Sequence, residues 1–495
     1  MKVLFIQPPD TSEGRILRDM AGRFGIRVSK TSQTFLPPLE FAYAASVLEK
    51  NGHVTRIIDA PPLGLGPEEI AAIVSDEGSD LVVTNTTPIS LEYDLRFCNN
   101  IKEQAPRTLV CLAGAFVSVL PNIIFEKSKV DVVIRGEVEY TVLDLVKALP
   151  HKSFETVQGI TYKANNILST TTDRELISDL DALPFPAFHL LPVDRYYHNW
   201  FSEKDKPLMT VLSSRGCSYG CIYCPYPIGY GDCWRSRSAQ NVLEEISLLV
   251  NKYNVRSILF RDQVFTFDMK RTEELCRGII ERKLNLKWHC ETRVDRLSKS
   301  LMTIMKEAGC EGIHMGVESG DPQVMSRIGK PGVDVNKTKK VFAEADDLDV
   351  QTGAFFIIGL PGETKQSIWK SFELAMELNP DIVSVAAITP YPGTKLYDMA
   401  EEKGWILTKE WAKYTGFNVV MRTDELSQED ISQAIDYFNL CIGSRRKKLK
   451  KEVFSRKGFQ KVLHKPSLAI KWVLKTTKNQ LNNPQEEFRK WALEQ

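Results

Sequence analysis

Two series of alternating apolar and amphipathic stretches constrain the fold of this 495-residue sequence more than any other feature. In the first series, helical patterns lie between five apolar runs, which are "KVLFIQPP", "VTRIIDA", "DLVVTNTT", "TLVCLAGAF" and "VDVVIRGE". Five β/α units of this length predict a doubly wound, Rossmann-like parallel sheet over residues 1–150. Sheets of this kind bind ligands beyond the carboxyl ends of their strands, so we expect ligand-binding residues in those loops.

The second series begins near Met209 and contains six further strand patterns separated by helical stretches. Six units predict a partial (β/α)6 barrel over residues 206–400, with its chemistry at the carboxyl ends of the strands. Residues 151–205 include the stretch "LDALPFPAFHLLPVDRYY", rich in Pro and aromatic residues, and are predicted to be a linker. Residues 401–495 are predicted to form a helical C-terminal region with a basic tail.

The composition, 43% hydrophobic and 26% charged, is typical of a globular protein, and the net charge of +1 gives no overall bias toward nucleic acid. No apolar run approaches the ~18 residues that span a bilayer. The opening "MKVLFIQPPD" has too short an apolar core for a signal peptide. We therefore expect a cytoplasmic protein, in which structural disulfides are disfavoured.

The tail departs from this balance of charge. Residues 445–478 contain thirteen Lys or Arg and one acid, Glu452, with apolar residues between the charges. The pattern favours a helix that packs on the barrel and exposes a basic face. The alternative is an amphipathic element at a membrane surface, which would suit a lipid, isoprenoid or tetrapyrrole substrate. Contact with an anionic substrate or nucleic acid is a third alternative, but no base-stacking pattern supports it, and no nucleic-acid partner is expected.

Three cysteines, Cys217, Cys221 and Cys224, lie in the stretch "CSYGCIYC" directly after the first strand of the second series. A structural zinc normally needs a fourth Cys or His at paired spacing, for which Cys233 is the only nearby candidate. A 4Fe–4S cluster also takes four ligands, unless one iron stays open for an exogenous ligand in a catalytic arrangement. The spacing points to such an open cluster, with zinc or chance as the alternatives.

This spacing, with an aromatic residue before the last cysteine, resembles the signature of the radical S-adenosylmethionine (SAM) superfamily. The resemblance implies that three thiolates bind a 4Fe–4S cluster, that SAM binds the open iron, and that Tyr223 lies near adenine. In that superfamily an electron from the cluster cleaves SAM to a 5′-deoxyadenosyl radical. An electron donor such as flavodoxin or ferredoxin is therefore expected as a partner.

The resemblance also implies SAM-binding roles for residues at four later strand ends. Asp262 in "FRDQVF" is expected to contact the methionine amino group and Arg293 in "ETRVD" the methionine carboxylate. Glu318 in "GVESG" is expected to hold the ribose hydroxyls. In "IIGLPGET", Gly359 and Gly362 are expected to let the backbone approach adenine. For each charged residue taken singly, a structural ion pair or a solvated loop is the alternative.

The front of the chain, in "PPLEFAYAASVLEKNGHVTRIIDAPP" and "VDVVIRGEVEYT", resembles the cobalamin-binding domain of the cobalamin-dependent radical SAM enzymes. The resemblance covers roughly residues 1–400. It implies a corrin across the carboxyl edge of the first sheet, contacted by loops with Thr84, Thr86, Thr87, Gly114, Phe116, Gly136 and Glu137. No D-x-H-x-x-G sequence occurs, so no histidine is expected to bind cobalt. Phe116 replaces the histidine of many relatives and predicts an apolar lower face, while ordinary β/α turns are the alternative for these loops.

Together these resemblances imply an enzyme that uses a 4Fe–4S cluster, SAM and cobalamin to methylate an unactivated carbon of a small-molecule, lipid or tetrapyrrole-like substrate. Oxidative cyclases and ring-rearranging enzymes with the same parts are alternatives. A methylthiotransferase would need three further cysteines in the front domain, which has only Cys98 and Cys111. A non-catalytic cobalamin or redox sensor would leave "GVESG" and "IIGLPGET" unexplained.

Overall fold

A computed structural model describes residues 1–18, 24–164, 167–330, 333–443 and 484–493. The strands in these residues are β1 (Lys2–Gln7), β2 (Arg15–Leu17), β3 (Ile26–Val28), β4 (Val54–Asp59), β5 (Leu81–Asn85), β6 (Leu109–Ala113), β7 (Val132–Ile134), β8 (Ile160–Ala164), β9 (Ile167–Thr170), β10 (Leu208–Val211), β11 (Ser214–Arg215), β12 (Arg235–Ser236), β13 (Ser257–Phe260), β14 (Lys287–Thr292), β15 (Cys310–Glu318), β16 (Gln351–Ile358) and β17 (Ile382–Ala387). The α-helices are α1 (Leu39–Lys50), α2 (Ala60–Leu63), α3 (Pro67–Glu77), α4 (Leu91–Gln104), α5 (Ala115–Val119), α6 (Pro121–Lys127), α7 (Val138–Ala148), α8 (Tyr226–Tyr230), α9 (Ala239–Tyr253), α10 (Met269–Glu281), α11 (Lys299–Glu307), α12 (Pro322–Arg327), α13 (Val335–Asp347), α14 (Lys365–Leu378), α15 (Lys395–Glu402), α16 (Gln428–Gly443) and α17 (Pro484–Leu493).

The first sheet has the strand order β4-β1-β5-β6-β7-β8-β9, and its first five strands are parallel. Strands β1, β5 and β6 are buried almost throughout, as strands covered by helices on both faces must be. The predicted doubly wound sheet is thereby confirmed. In this order the winding reverses between β1 and β5, and such a switch point opens the crevice in which ligands bind.

Strands β8 and β9 extend the first sheet as an antiparallel hairpin beside β7. Both lie in the segment 151–205 that the sequence predicted as a linker, so this segment covers a sheet edge as well as connecting the two series. The remainder of the segment contacts both parts of the chain, since Trp200 and Phe201 pack on His314 and His289 of β15 and β14. The Tyr196 hydroxyl donates a 2.8 Å hydrogen bond to Oδ2 of Asp59, which is fully buried at the carboxyl end of β4.

The second sheet consists of six parallel strands in chain order, β10-β13-β14-β15-β16-β17. Alternate side chains of a strand point to opposite faces. Val211 and Phe260 belong to the core beneath the surrounding helices, whereas Leu208 and Leu259 belong to a separate cluster on the other face. Six consecutively paired strands with helices outside form the predicted partial barrel.

Aromatic rings fill the middle of the barrel interior. Nδ1 of His289 lies 3.0 Å from Nε2 of His314, and the Trp200 ring stacks on His314 with 3.7 Å between centroids. Phe201 contacts His289, and Phe355 stacks on His314. Burial lowers the pKa of His289 to about 3, so this imidazole is neutral at physiological pH. These five rings, the aromatic floor, lie on the amino-terminal side of the strand ends where the chemistry is expected.

The C-terminal region is helical at α16 and α17, as predicted. The fully buried Phe488 joins α17 to α14 and α16 through the rings of Trp369, Phe372 and Phe438. The basic tail between α16 and α17 lies outside the described residues. No described helix combines the length and the hydropathy needed to span a membrane.

Candidate active site

The loop after β10 carries Cys217, Cys221 and Cys224, and all three thiols are free. Cys217 is buried, and the other two are partly exposed. Burial raises the pKa of each thiol, and at Cys224 the charges of the other two add to this rise and bring the pKa to about 12. Because Cys217 acts electrostatically on Cys221, and both act on Cys224, the loop brings the predicted ligands near one another.

Three thiols grouped in one loop fit a 4Fe–4S cluster, in which each thiolate binds a different iron. In the described part of the chain, no group of three or more His, Cys, Asp or Glu side chains is arranged to hold a single metal ion. The backbone around the thiols is held by the protein: the amide of Cys217 donates to the Gly231 carbonyl at 3.2 Å and that of Ile222 to the Ile328 carbonyl at 3.1 Å. Residues 213–225, the cluster loop, are therefore shaped by the surrounding chain.

Asp262 follows β13 and is buried beneath the cluster loop. Its Oδ1 accepts hydrogen bonds from the hydroxyls of Ser213 at 2.7 Å and Ser214 at 2.5 Å, and its Oδ2 accepts one from the Ser213 amide at 3.1 Å. Burial raises the pKa of Asp262, and these hydrogen bonds oppose the rise. The structure thus places this predicted methionine-binding residue where it supports the cluster loop.

Arg293, which follows β14, contacts the cluster loop from the other side. Its Nε and Nη2 donate to the two carboxylate oxygens of Asp295 at 2.9 and 3.0 Å. Its guanidinium carbon lies 3.7 Å from the ring centroid of Tyr219 in the cluster loop. The fork predicted to bind the methionine carboxylate therefore already holds a carboxylate of the protein.

Glu318 ends β15 in the left-handed region, with φ of 62°. Its Oε1 accepts a 2.6 Å hydrogen bond from Nζ of Lys330, which also donates to the Gly316 carbonyl at 2.8 Å. After burial, the charge of Glu318 contributes to the raised pKa of Tyr223, so these two predicted SAM-binding residues lie side by side. A strained backbone at a non-glycine residue is a frequent mark of a functional site.

Gly359 and Gly362 lie in the loop after β16, both with positive φ, at 92° and 74°. Oε2 of Glu363 holds this loop by accepting from the amides of Gly359 at 2.7 Å and Leu360 at 3.2 Å. Glu363 is fully buried, its Oε1 has no partner among the described residues, and burial raises its pKa to about 8. Glu363 was not predicted, although a carboxylate directly after a Gly-Leu-Pro-Gly turn at a strand end is a visible signal.

Thr84, Thr86 and Thr87 lie at the carboxyl end of β5, beside the switch point. Thr86 Oγ1 donates to Oδ2 of Asp94 at 2.7 Å, and Thr87 Oγ1 shares a 2.8 Å hydrogen bond with Ser90. The hydroxyls of Thr86 and Thr87 therefore hold their own loop in place. Thr84 Oγ1 is buried and has no hydrogen-bond partner within the described ranges, so it fits a polar group of a ligand.

Asn85 spans the switch point itself. Its Nδ2 donates to Oε1 of Gln7 on β1 and to Oε1 of Glu40 on α1, both at 3.1 Å. Its buried Oδ1 has no partner in the part of the chain that the structure describes. A buried acceptor at this edge fits cobalamin, whose amide side chains carry N–H donors. Gln7, Glu40 and Asn85 were not predicted as site residues. The sequence signal that could have found them is a polar residue within or at the end of an apolar run.

Gly114 and Gly136 lie at the same edge of the sheet, where the absence of a side chain lets another group come close to the backbone. Gly114 has φ of 139°, and a side chain there would meet the Thr86 carbonyl oxygen at 2.6 Å. Gly136 has φ of 72°, and a side chain there would meet no described atom within 4 Å. Phe116, predicted to face the lower side of the corrin, is buried, with its ring centroid 5.2 Å from that of Trp411.

Glu137, predicted to contact cobalamin, joins a buried ion network. Its Oε1 accepts from Nη1 of Arg215 at 2.9 Å and from Nη1 of Arg235 at 3.1 Å. Nη2 of Arg215 also donates to Oε1 of Glu139 at 2.6 Å. Because Arg215 lies two residues before Cys217, this network fastens the cluster loop to the carboxyl edge of the first sheet. Arg215 was not predicted, because its partners lie 76 and 78 residues away in sequence.

Two known families match this arrangement. The sequence model of the radical SAM superfamily matches residues 211–375, which include the cluster loop and four of the strand ends described above. The sequence model of the B12 binding domain matches residues 28–146, which include most of the first sheet and its carboxyl-edge loops.

Relatives match this chain along most of its length. An uncharacterized methyltransferase of Pyrococcus horikoshii is 31% identical over 471 residues, which cover 93% of this chain and 96% of the relative. The anaerobic magnesium-protoporphyrin IX monomethyl ester cyclase of Rubrivivax gelatinosus is 26% identical over 441 residues, covering 87% of this chain and 75% of the relative. The solved structure of the cobalamin-dependent SAM radical enzyme OxsB, with aqua-cobalamin and SAM bound, has the same fold, with a TM-score of 0.72 at 16% identity over 90% of this chain and 66% of that one. The chain belongs to the cobalamin-binding radical SAM enzymes, whose cofactors are a 4Fe–4S cluster, SAM and cobalamin.

Proposed function

We propose that this enzyme methylates an unactivated carbon of a small-molecule or lipid-like substrate. The observation that carries the proposal is the buried network of Arg215 with Glu137 and Glu139. The three side chains are only 2–3% exposed, and they join the cluster loop directly to the loop and helix that follow β7. A substrate between the two domains is therefore within reach of both the radical and the methyl donor.

When bound, the cluster with SAM supplies a 5′-deoxyadenosyl radical that abstracts hydrogen, and cobalamin supplies the methyl group. The chain holds these groups at fixed distances and keeps water from them. We assign Cys217, Cys221 and Cys224 to the cluster. We assign Tyr223, Glu318, Gly359 and Gly362 to SAM, with Asp262 as support of the cluster loop beside them.

For cobalamin we assign two roles to the residues at the carboxyl edge of the first sheet. The unpartnered acceptors and close-approach positions contact the ligand: Thr84, Asn85, Gly114 and Gly136. Two kinds of residue shape the edge: Thr86, Thr87 and Glu137, whose hydrogen bonds are used within the protein, and Phe116, whose ring packs on Trp411. This division extends to the domains, for which we propose residues 1–150 together with the β8–β9 hairpin as the cobalamin-binding part and residues 206–400 as the radical SAM part.

Above the aromatic floor, Arg261 and Glu291 form an ion pair in the barrel interior. Nη1 of Arg261 lies 3.3 Å from Oε1 of Glu291, with side chains 6% and 16% exposed. Both project from neighbouring strand ends to the same face as Leu259 and His289, since alternate residues share a face. We assign this pair to a polar group of the substrate.

The test is anaerobic reconstitution of the full chain with iron, sulfide and cobalamin, followed by metal counts and an assay with SAM and reductant. We expect about four irons and one corrinoid per chain, as the two domains require. We also expect 5′-deoxyadenosine to be formed under reducing conditions. An enzyme that is active without corrinoid would contradict the assignment of the front domain.

Oxidative cyclisation is the second candidate, because the Rubrivivax gelatinosus relative is named a cyclase. The two reactions differ in their SAM products. Methyl transfer converts one SAM to S-adenosylhomocysteine for each methylated product, whereas cyclisation forms 5′-deoxyadenosine alone. Equal amounts of the two SAM products with a methylated substrate would support methylation, and the absence of S-adenosylhomocysteine during turnover would favour the cyclase.

A methylthiotransferase fits the front domain less well. Cys98 lies within α4 and Cys111 within β6, and both are fully buried in the core. Neither thiol is therefore presented at the carboxyl edge, where a second cluster would have to bind.

A further inference from the structure

Tyr219 lies between the first two thiols of the cluster loop and is held from two sides. The guanidinium of Arg293 stacks on its ring, 3.7 Å from the centroid. Nε of Arg296 donates a 2.5 Å hydrogen bond to its hydroxyl. Tyr219 lies two residues after Cys217 and two before Cys221, so movement of this residue would disturb the backbone that joins two cluster ligands.

Arg293 reaches Tyr219 as half of a balanced ion pair. Its side chain is 5% exposed and contacts both carboxylate oxygens of Asp295. Burial acts to raise the pKa of Asp295, but the hydrogen bonds and charge of Arg293 outweigh it and leave the pKa lowered. The field of Arg293 also extends to the thiols, where it opposes the rise in pKa that burial causes at Cys217 and Cys221.

The turn that carries these residues is anchored behind the ring. Val294 is fully buried, and Nζ of Lys337 on α13 donates to the Asp295 carbonyl at 3.0 Å. On the opposite side of the cluster loop, the Ile222 amide is held by the Ile328 carbonyl. Tyr219 is thus gripped between a fixed turn and a fixed loop.

We propose that Tyr219, Arg293, Asp295 and Arg296 form a clamp that fixes the cluster loop and sets the electrostatic field at the cluster. In this clamp Arg293 is a positioning residue and does not bind the methionine carboxylate of SAM. The inference rests on the proposed function only in requiring a 4Fe–4S cluster on the three cysteines. Reduction adds a negative charge to the cluster, so the reduction potential depends on the balance of nearby charges.

The opposite charges of Arg293 and Asp295 predict that substitutions of these two residues shift the midpoint potential of the cluster in opposite directions. Asp295→Asn leaves the positive charge of Arg293 uncompensated beside the cluster, so the midpoint potential should rise. Arg293→Gln leaves the negative charge of Asp295 uncompensated, so the potential should fall. Arg277→Gln is the matched control, because Arg277 pairs with Glu273 on an exposed face of α10. This control should leave the potential unchanged.

The experiment measures the midpoint potential and the electron paramagnetic resonance spectrum of the reduced cluster in the full chain, with and without SAM. Shifts of opposite sign in SAM-free protein support the clamp. If both variants match the wild type without SAM, and only Arg293→Gln loses the spectral change on SAM addition, Arg293 binds SAM and the clamp is wrong. A wild-type chain that takes up no 4Fe–4S cluster would instead contradict the proposed function.

Substitutions of the ring test the positioning role separately, should either charge variant fail to fold. Tyr219→Phe keeps the ring under Arg293 and loses only the hydrogen bond from Arg296, so the spectrum should stay near that of the wild type. Tyr219→Leu removes the stacked ring and should broaden the spectrum and lower the iron content. Equal spectra and equal iron content in the two variants would overturn the clamp.

Discussion

At the residue scale, the charged side chains at the barrel's strand ends differ in how firmly the protein holds them. Asp262 accepts three hydrogen bonds from two serines, and Arg293 makes two parallel hydrogen bonds to Asp295. Glu318 is paired with the single ammonium of Lys330 on a flexible stem. Exchange of a partner for a ligand is therefore easiest at Glu318, which agrees with its proposed role toward the ribose of SAM.

The buried Asp59 makes a prediction about pH. Burial raises its pKa to about 7, against the hydrogen bond from Tyr196 that lowers it. The folded chain keeps the proton up to that pH, while the unfolded chain releases it near pH 4, so the free energy of unfolding falls between about pH 4 and 7. Asp59→Asn removes this dependence, and the decline from pH 5 to pH 8 should shrink by ~1–3 kcal/mol.

Urea unfolding of wild type and Asp59→Asn at pH 5 and pH 8 measures this difference. Tyr196→Phe is the matched variant, because losing its hydroxyl removes a hydrogen bond that favours the ionised carboxylate. The decline with pH should be at least as large in Tyr196→Phe as in the wild type. Equal declines in the wild type and Asp59→Asn would show that Asp59 ionises normally in the folded chain.

Sequence reasoning found the three cysteines because their spacing is local and the chemistry of thiols is narrow. It could not find the partners of the charged residues, since these are set by the fold. Arg215 and Glu137 are 78 residues apart in sequence, and so are Asn85 and Gln7. Glu363 could have been found from the sequence, but its burial, which raises its pKa, is a property of the packed structure.

At the scale of elements, both parallel sheets could be predicted because most of their strands are buried apolar runs between amphipathic helices. The β8–β9 hairpin could not, because its strands are partly exposed and their pairing depends on the free edge of β7. Helix α17 could be predicted as a helix, but its docking could not. Its sequence is mostly polar, and it joins the core because α14 and α16 provide a site for Phe488.

Phe488 is the residue that docks α17. Phe488→Ala removes a fully buried ring that contacts Trp369, Phe372 and Phe438, and should cost ~3–5 kcal/mol of docking free energy. Hydrogen exchange should then become fast in residues 484–493, while the barrel strands stay protected. Leu493→Ala is the control, because Leu493 is 48% exposed. Unchanged protection of α17 in Phe488→Ala would mean that other contacts dock the helix.

At the scale of the whole molecule, the network around Arg215 joins the two halves through buried charge. Buried ion pairs add little net stability, but removing one partner leaves an uncompensated charge. Arg215→Gln removes the ion-pair partner of Glu139 and leaves Glu137 with Arg235 alone, and both carboxylates are 2% exposed, so the free energy of unfolding should fall by ~3–5 kcal/mol.

Denaturant unfolding of Arg215→Gln beside Arg282→Gln tests this estimate. Arg282 makes only exposed hydrogen bonds, to Ser247 and Gln240, so its substitution should change stability little. The Arg215 variant should also lose protection from proteolysis at the junction of the two sheets. An unfolding midpoint equal to that of the control would contradict the claim that the network stabilises the folded chain.

The aromatic floor has a consequence for the order in which molecules bind. Trp200, His289 and His314 fill the barrel interior on the amino-terminal side of the strand ends, so a ligand of this interior has to lie toward the carboxyl ends. Under the proposed function, the substrate, SAM and the corrinoid would all meet at that side. The corrinoid, the largest of them, would then have to stay bound while the substrate and SAM are exchanged beside it.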